Sequence, residues 1–178
     1  MDSPTSFAFP DRRERGTFPV WDGQGRAVAQ ITPSWTGTRF TVCTPDGQPL
    51  CGATAGWVGL SGTWQATRSD GGPLLQVRAT VLRTAATVTL ARGGTLLVSG
   101  SAWRRDFVVT DAAGQAVLTA APRTSPVSFR PNDYTVTQLQ PVLDLSEVIA
   151  LVQIWRTIRT AQASTGSVIT ATSATYGG

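Results

Sequence analysis

Two residue types are missing from this 178-residue chain altogether: it has no histidine and no lysine. Without histidine there is no Ser-His-Asp or Cys-His catalysis and no imidazole metal site. Without lysine, all 15 basic residues are arginine, and the formal net charge is +4. A coding bias toward arginine, alanine, glycine and proline accounts for this more simply than a need for bidentate guanidinium chemistry. A net positive charge is compatible with an anionic partner without requiring one.

Glutamate is nearly absent, occurring only at Glu14 and Glu147, and most aspartates fall beside glycines or before a helix. Aspartate at those places serves turns and caps, which leaves no carboxylate pair for acid–base work. There is no Gly-rich phosphate loop and no Asp-x-Asp-x-Asp calcium loop. The sequence therefore assigns no catalytic residue, no metal ligand and no cofactor, and the expectation is a protein that is not an enzyme.

Long apolar runs are also lacking. None reaches the roughly 20 residues a transmembrane helix needs. The N-terminal stretch places its charges after a short apolar patch and has no h-region, so a cytoplasmic location is expected, with peripheral membrane association as an extension of it. Cysteine is limited to Cys43 and Cys51, which flank Pro45-Asp46-Gly47. A loop of Asp46-Gly47-Gln48 would set the two directly opposite; a loop of Pro45-Asp46-Gly47 would set them diagonal on one face. A disulfide depends on that register. Reduced thiols are the expectation in the cytoplasm.

What is abundant is β structure. Glycine (18) and proline (11) are plentiful beside many Val, Thr and Trp. An arm–turn–arm pattern recurs over Thr17 to Ile31, Arg39 to Ala53, Thr63 to Val81 and Asp106 to Ala120, each turning at or near an Asp and a Gly. Gly and Asp supply the positive φ of tight hairpins. A further hairpin spans Ala85 to Gly100 around Gly93-Gly94, and Asp133 to Leu139 alternates cleanly as one strand. That makes about eleven strands, with Phe7 and Phe9 suggesting one more at an edge. So many short antiparallel strands favour closure into a barrel, which removes free edges.

The one convincing helix runs from Asp144 to Arg159. Asp144 and Glu147 have the spacing of a capping box. The helix is apolar on every side over its first half, so something must surround it. Its expected core residues are Val148, Ile149, Leu151, Val152 and Trp155. Arg156 and Arg159 would mark its emergence toward solvent, favoured there by the helix dipole. Residues 1–16 are expected to be a flexible segment, 17–159 a single barrel domain with the helix at 144–159, and 160–178 a flexible Ser/Thr/Ala/Gly tail.

In order, the Asp-x-x-Gly arms, the Trp103-x-x-x-Phe107 segment leading into Asp111-x-x-Gly114, the Asp133-Tyr134-x-Val136 strand and the final apolar helix from Asp144 resemble the LURP-one-related family. That family belongs with the phospholipid scramblases and the tubby C-terminal domains. The resemblance covers about Thr17 to Arg159 and implies a mainly β, tubby C-terminal-like fold: a closed antiparallel barrel of about twelve strands around a central hydrophobic C-terminal helix. Tubby domains bind phosphoinositides, but through lysines, which this sequence does not have.

Candidate contacts for an anionic or protein partner are Arg104, Arg105, Arg156 and Arg159. Arg104 and Arg105 sit between Trp103 and Phe107, where they either belong to an anion or headgroup site or pair with Asp106 or Asp133 as solvated strand residues. Arg12, Arg13 and Arg15 are diluted by Asp11 and Glu14, and no nucleic-acid-binding motif accompanies them. The Gly62-Thr63-Trp64 sequence resembles the Gly-x-Trp of lipocalin and avidin barrels, but five arms precede it and an apolar helix would fill the cavity. The function expected is a non-catalytic interaction domain that meets an anionic phospholipid surface through arginine-bearing outer loops. The alternative is an accessory subunit of a larger cytoplasmic assembly, docking through its termini.

Overall fold

The computed structural model describes residues 5–10, 16–58, 61–80, 84–100, 106–123 and 133–173. Twelve strands run in chain order: β1 (Thr5–Phe9), β2 (Phe18–Asp22), β3 (Ala27–Pro33), β4 (Arg39–Cys43), β5 (Pro49–Val58), β6 (Ser61–Arg68), β7 (Pro73–Thr80), β8 (Ala85–Leu90), β9 (Thr95–Gly100), β10 (Phe107–Thr110), β11 (Ala116–Pro122) and β12 (Tyr134–Gln138). A single helix follows, α1 (Leu145–Ser173). Each strand pairs antiparallel with its chain neighbours, and β1 pairs with both β2 and β12, so the sheet closes into a barrel.

Five hairpins are built on one plan. In each, the N–H of the residue that opens the turn bonds to the carbonyl four residues on, and a glycine N–H bonds back across the turn, as in Thr44 N–H to Gln48 O (2.7 Å) and Gly47 N–H to Thr44 O (2.9 Å). Gly47 has φ 87°, a conformation an L side chain resists. Aspartate completes three of these turns: Asp22 Oδ1 accepts from Gln24 and Arg26 N–H, Asp70 Oδ1 from Gly72 N–H, and Asp111 Oδ1 from Ala113 and Gln115 N–H. The Asp and Gly recurrence in the sequence is thus a repeated turn mechanism. All five hairpins gather at one rim of the barrel, called here the hairpin rim.

Strand alternation sends one set of side chains inward. Val20, Ile31, Val42, Val77, Val88, Val98, Val109 and Val136 are all fully buried, while threonines such as Thr41, Thr87, Thr89 and Thr95 face out. The β1 segment carries Phe7 and Phe9 into this core. Residues 5–9 are therefore not part of a loose end: β1 is the strand that closes the barrel, held by five register pairs to β12. Its alternating phenylalanines supply the reason, since both would otherwise stay in water.

The helix starts at the hairpin rim and runs down the barrel axis. Twelve consecutive residues, Glu147 to Ile158, are buried. A helix buried on every face over three turns has to be enclosed, and it is enclosed by the strands, with β4, β5 and β7 nearest. Val148, Ile149, Leu151 and Val152 are fully buried, and Trp155 packs on Phe107 at 5.9 Å between centroids. Gly100 makes room for that indole: a Cβ there would stand 3.1 Å from Trp155 Cζ2 and 3.1 Å from Asp106 O.

The cap has the expected reciprocal form. Glu147 N–H donates to Asp144 Oδ1 (2.8 Å), and Asp144 N–H donates to Glu147 Oε2 (2.9 Å). Arg92, from the turn between β8 and β9, ion-pairs with the same Oε2 at 2.8 Å and also donates to Val142 O. The helix does not end near Arg159 but continues to Ser173. Thr157 and Thr160 hydroxyls donate to the carbonyls of Gln153 and Arg156, and Arg159 donates to Gln162 Oε1, so the turn past Arg159 is tied to the one before it. The segment expected as a tail is helical to Ser173, Val168 and Ile169 included.

Candidate functional site

With the interior filled, binding chemistry belongs on the outside, and the two rims differ. Among the described residues the hairpin rim carries Asp22, Asp46, Asp70, Asp111, Asp144 and Glu147 against Arg26, Arg68 and Arg92. The opposite rim, where α1 leaves the barrel, carries Arg39, Arg123, Arg156 and Arg159 against Asp106 and Asp133. The barrel therefore has an acidic end and a basic end.

The arginines predicted from sequence do not behave alike. Arg156 is 6% exposed. Its guanidinium lies 5.8 Å from the Phe18 ring centroid and 5.5 Å from that of Tyr134, and it donates to Pro10 O. It points into the barrel wall and fastens the helix there, so the expectation of an outward-facing contact is corrected. The cation is tolerated because two aromatic faces and a carbonyl take the place of water. Arg159, half-buried, is where the helix meets solvent. Arg104 and Arg105, like Arg12, Arg13 and Arg15, lie outside the described residues.

The basic rim contains a residue that sequence reasoning passed over. Between β3 and β4 the chain turns through Ser34–Thr38, with Ser34 N–H bonded to Arg39 O (2.8 Å), Gly37 N–H to Ser34 O (3.0 Å) and Arg39 N–H to Ser34 Oγ (3.1 Å). Thr36 and Thr38 hydroxyls share a 2.7 Å bond, and Thr38 O accepts from Ala55 N–H. On this fixed turn Trp35 is 90% exposed, while Arg39 is exposed at the start of β4. Tryptophan in a β-rich sequence reads as core, as Trp64 indeed is, so composition gave no signal. The signal present was the Ser-Trp-Thr-Gly-Thr string, a turn with an indole at its tip.

The cysteines are both free, and neither marks a reactive site. A register shift places Val42 opposite Cys51 and Cys43 opposite Pro49. Cys51 faces inward beside the helix start, 3.9 Å from Ser146 O, while Cys43 follows the inward Val42 and faces out. Burial, with Asp144 and Cys43 adding to it, pushes the Cys51 thiol up to about 12. A thiol so raised stays protonated and is a poor nucleophile. Among the described residues no group of three acidic or cysteine side chains could hold a metal. No helix among them is long and apolar enough to cross a membrane.

The model of the LURP-one-related family matches residues 11–155, from the start of the basic N-terminal segment to the buried Trp155. The chain belongs to the LURP-one-related family. The X-ray structure of an Arabidopsis thaliana protein is similar to this LURP-one-related barrel, with a TM-score of 0.59 over 85% of this chain and 90% of that one, at 20% identity. At that identity the likeness concerns the fold. No curated protein matches the sequence.

Proposed function

We propose that this LURP-one-related protein is a non-catalytic binding domain that sets its basic rim on an anionic lipid surface from the cytoplasmic side. The observation that carries the reading is Trp35, held out at 90% exposure on a hydrogen-bonded turn beside Arg39. An indole is at home at the headgroup level of a bilayer, where its ring is shielded and its N–H stays wet. Arg39 and Arg159 would meet lipid phosphates there, each worth about 1 kcal/mol near an anionic leaflet. The acidic hairpin rim is repelled by the same surface, which orients the barrel.

Flotation with vesicles tests this at low salt. The protein should float with vesicles containing phosphatidylserine and stay behind with purely zwitterionic ones, and Trp35→Ala should reduce flotation several-fold. Equal recovery in the soluble fraction with both vesicle types would refute the reading.

A second reading, an accessory subunit docking through its ends, is favoured by one observation. The helix runs fourteen residues past Arg159, to Ser173.

A further inference from the structure

A groove of about 470 Å³ lies on the outer wall where β1 meets its neighbours, lined by Ser6, Ala8, Trp21, Arg123 and Thr135 with Gly23 at one end. It exists because the seam beneath it is short. β1 is matched to β2 at only two positions, Phe7 with Asp22 and Ala8 with Trp21, against five positions with β12. Past Asp22 the β2 strand turns away, and Gly23 leaves the space open: a Cβ there would stand 3.5 Å from Ser6 Cβ.

The walls have opposite chemistry. Trp21 sits at a register shift between β2 and β3, the kind of bulge that re-aims a side chain. Arg123 extends the β11–β12 ladder through its N–H bond to Asp133 O (2.7 Å), and its own side chain is exposed. Its guanidinium makes no hydrogen bond or ion pair with any side chain among the described residues. Asp22, the carboxylate in the groove, is already committed. Its oxygens accept from Gln24 N–H, Arg26 N–H and the Arg26 guanidinium, so Asp22 does not neutralise Arg123. Between the walls the floor is flat and small: Trp21, Ala8 and Thr135 are successive partners across three strands.

We propose that this groove binds a small planar aromatic carboxylate. Arg123 takes the carboxylate with its two parallel N–H donors, and the indole of Trp21 stacks on the ring. The distance sets the size. Trp21 on β2 and Arg123 beyond β11 are separated by β1 and β12, which is three strand spacings, about 14 Å. Less the reach of the two side chains, that leaves room for one or two fused rings bearing an acid group. The volume falls in the ordinary range for small-molecule sites, about 300–1,000 Å³.

The site shares Arg123 with the basic rim but uses neither Trp35 nor Arg39, so a titration without vesicles and the Trp35→Ala variant separate it from lipid docking. The test is titration of the full chain with 2-naphthoate, followed by calorimetry and without vesicles, beside its neutral isostere 2-naphthalenemethanol. Saturable binding of the acid is expected, with the alcohol and the Arg123→Gln variant each weaker by about tenfold or more, and Trp21→Ala weaker again. Trp35→Ala should bind as wild type. No saturable binding by folded wild type at millimolar acid would overturn the proposal. So would binding that Arg123→Gln and Trp21→Ala leave unchanged.

Discussion

Replacing Arg156 by methionine separates a structural arginine from a ligand-binding one. The substitution removes two cation–π contacts, each worth about 0.5–2 kcal/mol when desolvated. It also removes a charged hydrogen bond to Pro10 O, worth about 1.5–3 kcal/mol. Methionine returns part of this, because it is unbranched, fills the same channel and leaves no charge to desolvate. The net expectation is a loss of about 2–4 kcal/mol, which a domain with an ordinary reserve of about 5–15 kcal/mol survives. Urea unfolding should show the midpoint falling with an unchanged slope, and the melting temperature should drop by about 5–15 °C for a chain of this size. Arg156→Lys, which keeps the charge and loses the planar fork, should fall between the two. Vesicle flotation of the folded fraction should match wild type, since the side chain faces inward. If Arg156→Met melted within about 1 kcal/mol of wild type and lost flotation, Arg156 would be a surface contact and the packing argument would be wrong.

Other substitutions probe the plug and its surroundings. Leu151→Ala should cost about 3–5 kcal/mol in denaturant titration, and Leu151→Asp should prevent folding; a soluble, cooperatively melting L151D protein would place the helix outside the barrel. Gly100→Ala should cost about 1–3 kcal/mol by crowding the Trp155 indole, and pairing it with Trp155→Phe should recover part of the loss. Cys43 should react with iodoacetamide in the native protein while Cys51 reacts only on unfolding. Because the Cys51 pKa is raised on folding from 9.0 to about 12, its share of stability is intact below pH 9 and declines as the pH rises toward 12, which alkaline urea titrations of wild type and Cys51→Ala would show. Truncation after Gln162 should leave the melting temperature unchanged, and loss of an assembly by light scattering in that variant alone would favour the docking role for the helix extension.

Much of the architecture was legible because its causes are local. The five hairpins announce themselves through Asp and Gly at positions that need their backbone freedom, and the cap through Asp144 and Glu147 three residues apart. The enclosure of α1 followed from the apolar circumference of its first half. What escaped depended on residues far apart in the chain. Arg156 reads as the polar end of a helix until Phe18 and Tyr134, from strands at opposite ends of the sequence, are brought around it. Phe7 and Phe9 alternate visibly, yet nothing within ten residues tells that β12 lies beside them. Trp35 escaped for the opposite reason: its turn is local, but whether an indole is buried depends on the rim it occupies. The helix runs past Arg159 to Ser173, where the small Ser, Thr, Ala and Gly residues of the composition suggested a loose end.

The pairing of β1 with β12 also governs how the chain can fold. β1 has its final partner 125 residues (Phe9 to Tyr134) to 133 residues (Thr5 to Gln138) later in the sequence, and the interior has no filling until α1 follows. Neither half can bury its own apolar face, so no stable partial barrel is available to a growing chain. Pairings this distant in sequence are slow to form because the loop must close before any contact rewards it. Until α1 has been made, the inward valines and phenylalanines remain open to water and to other chains, and the helix that follows β12 determines whether β1 becomes structured.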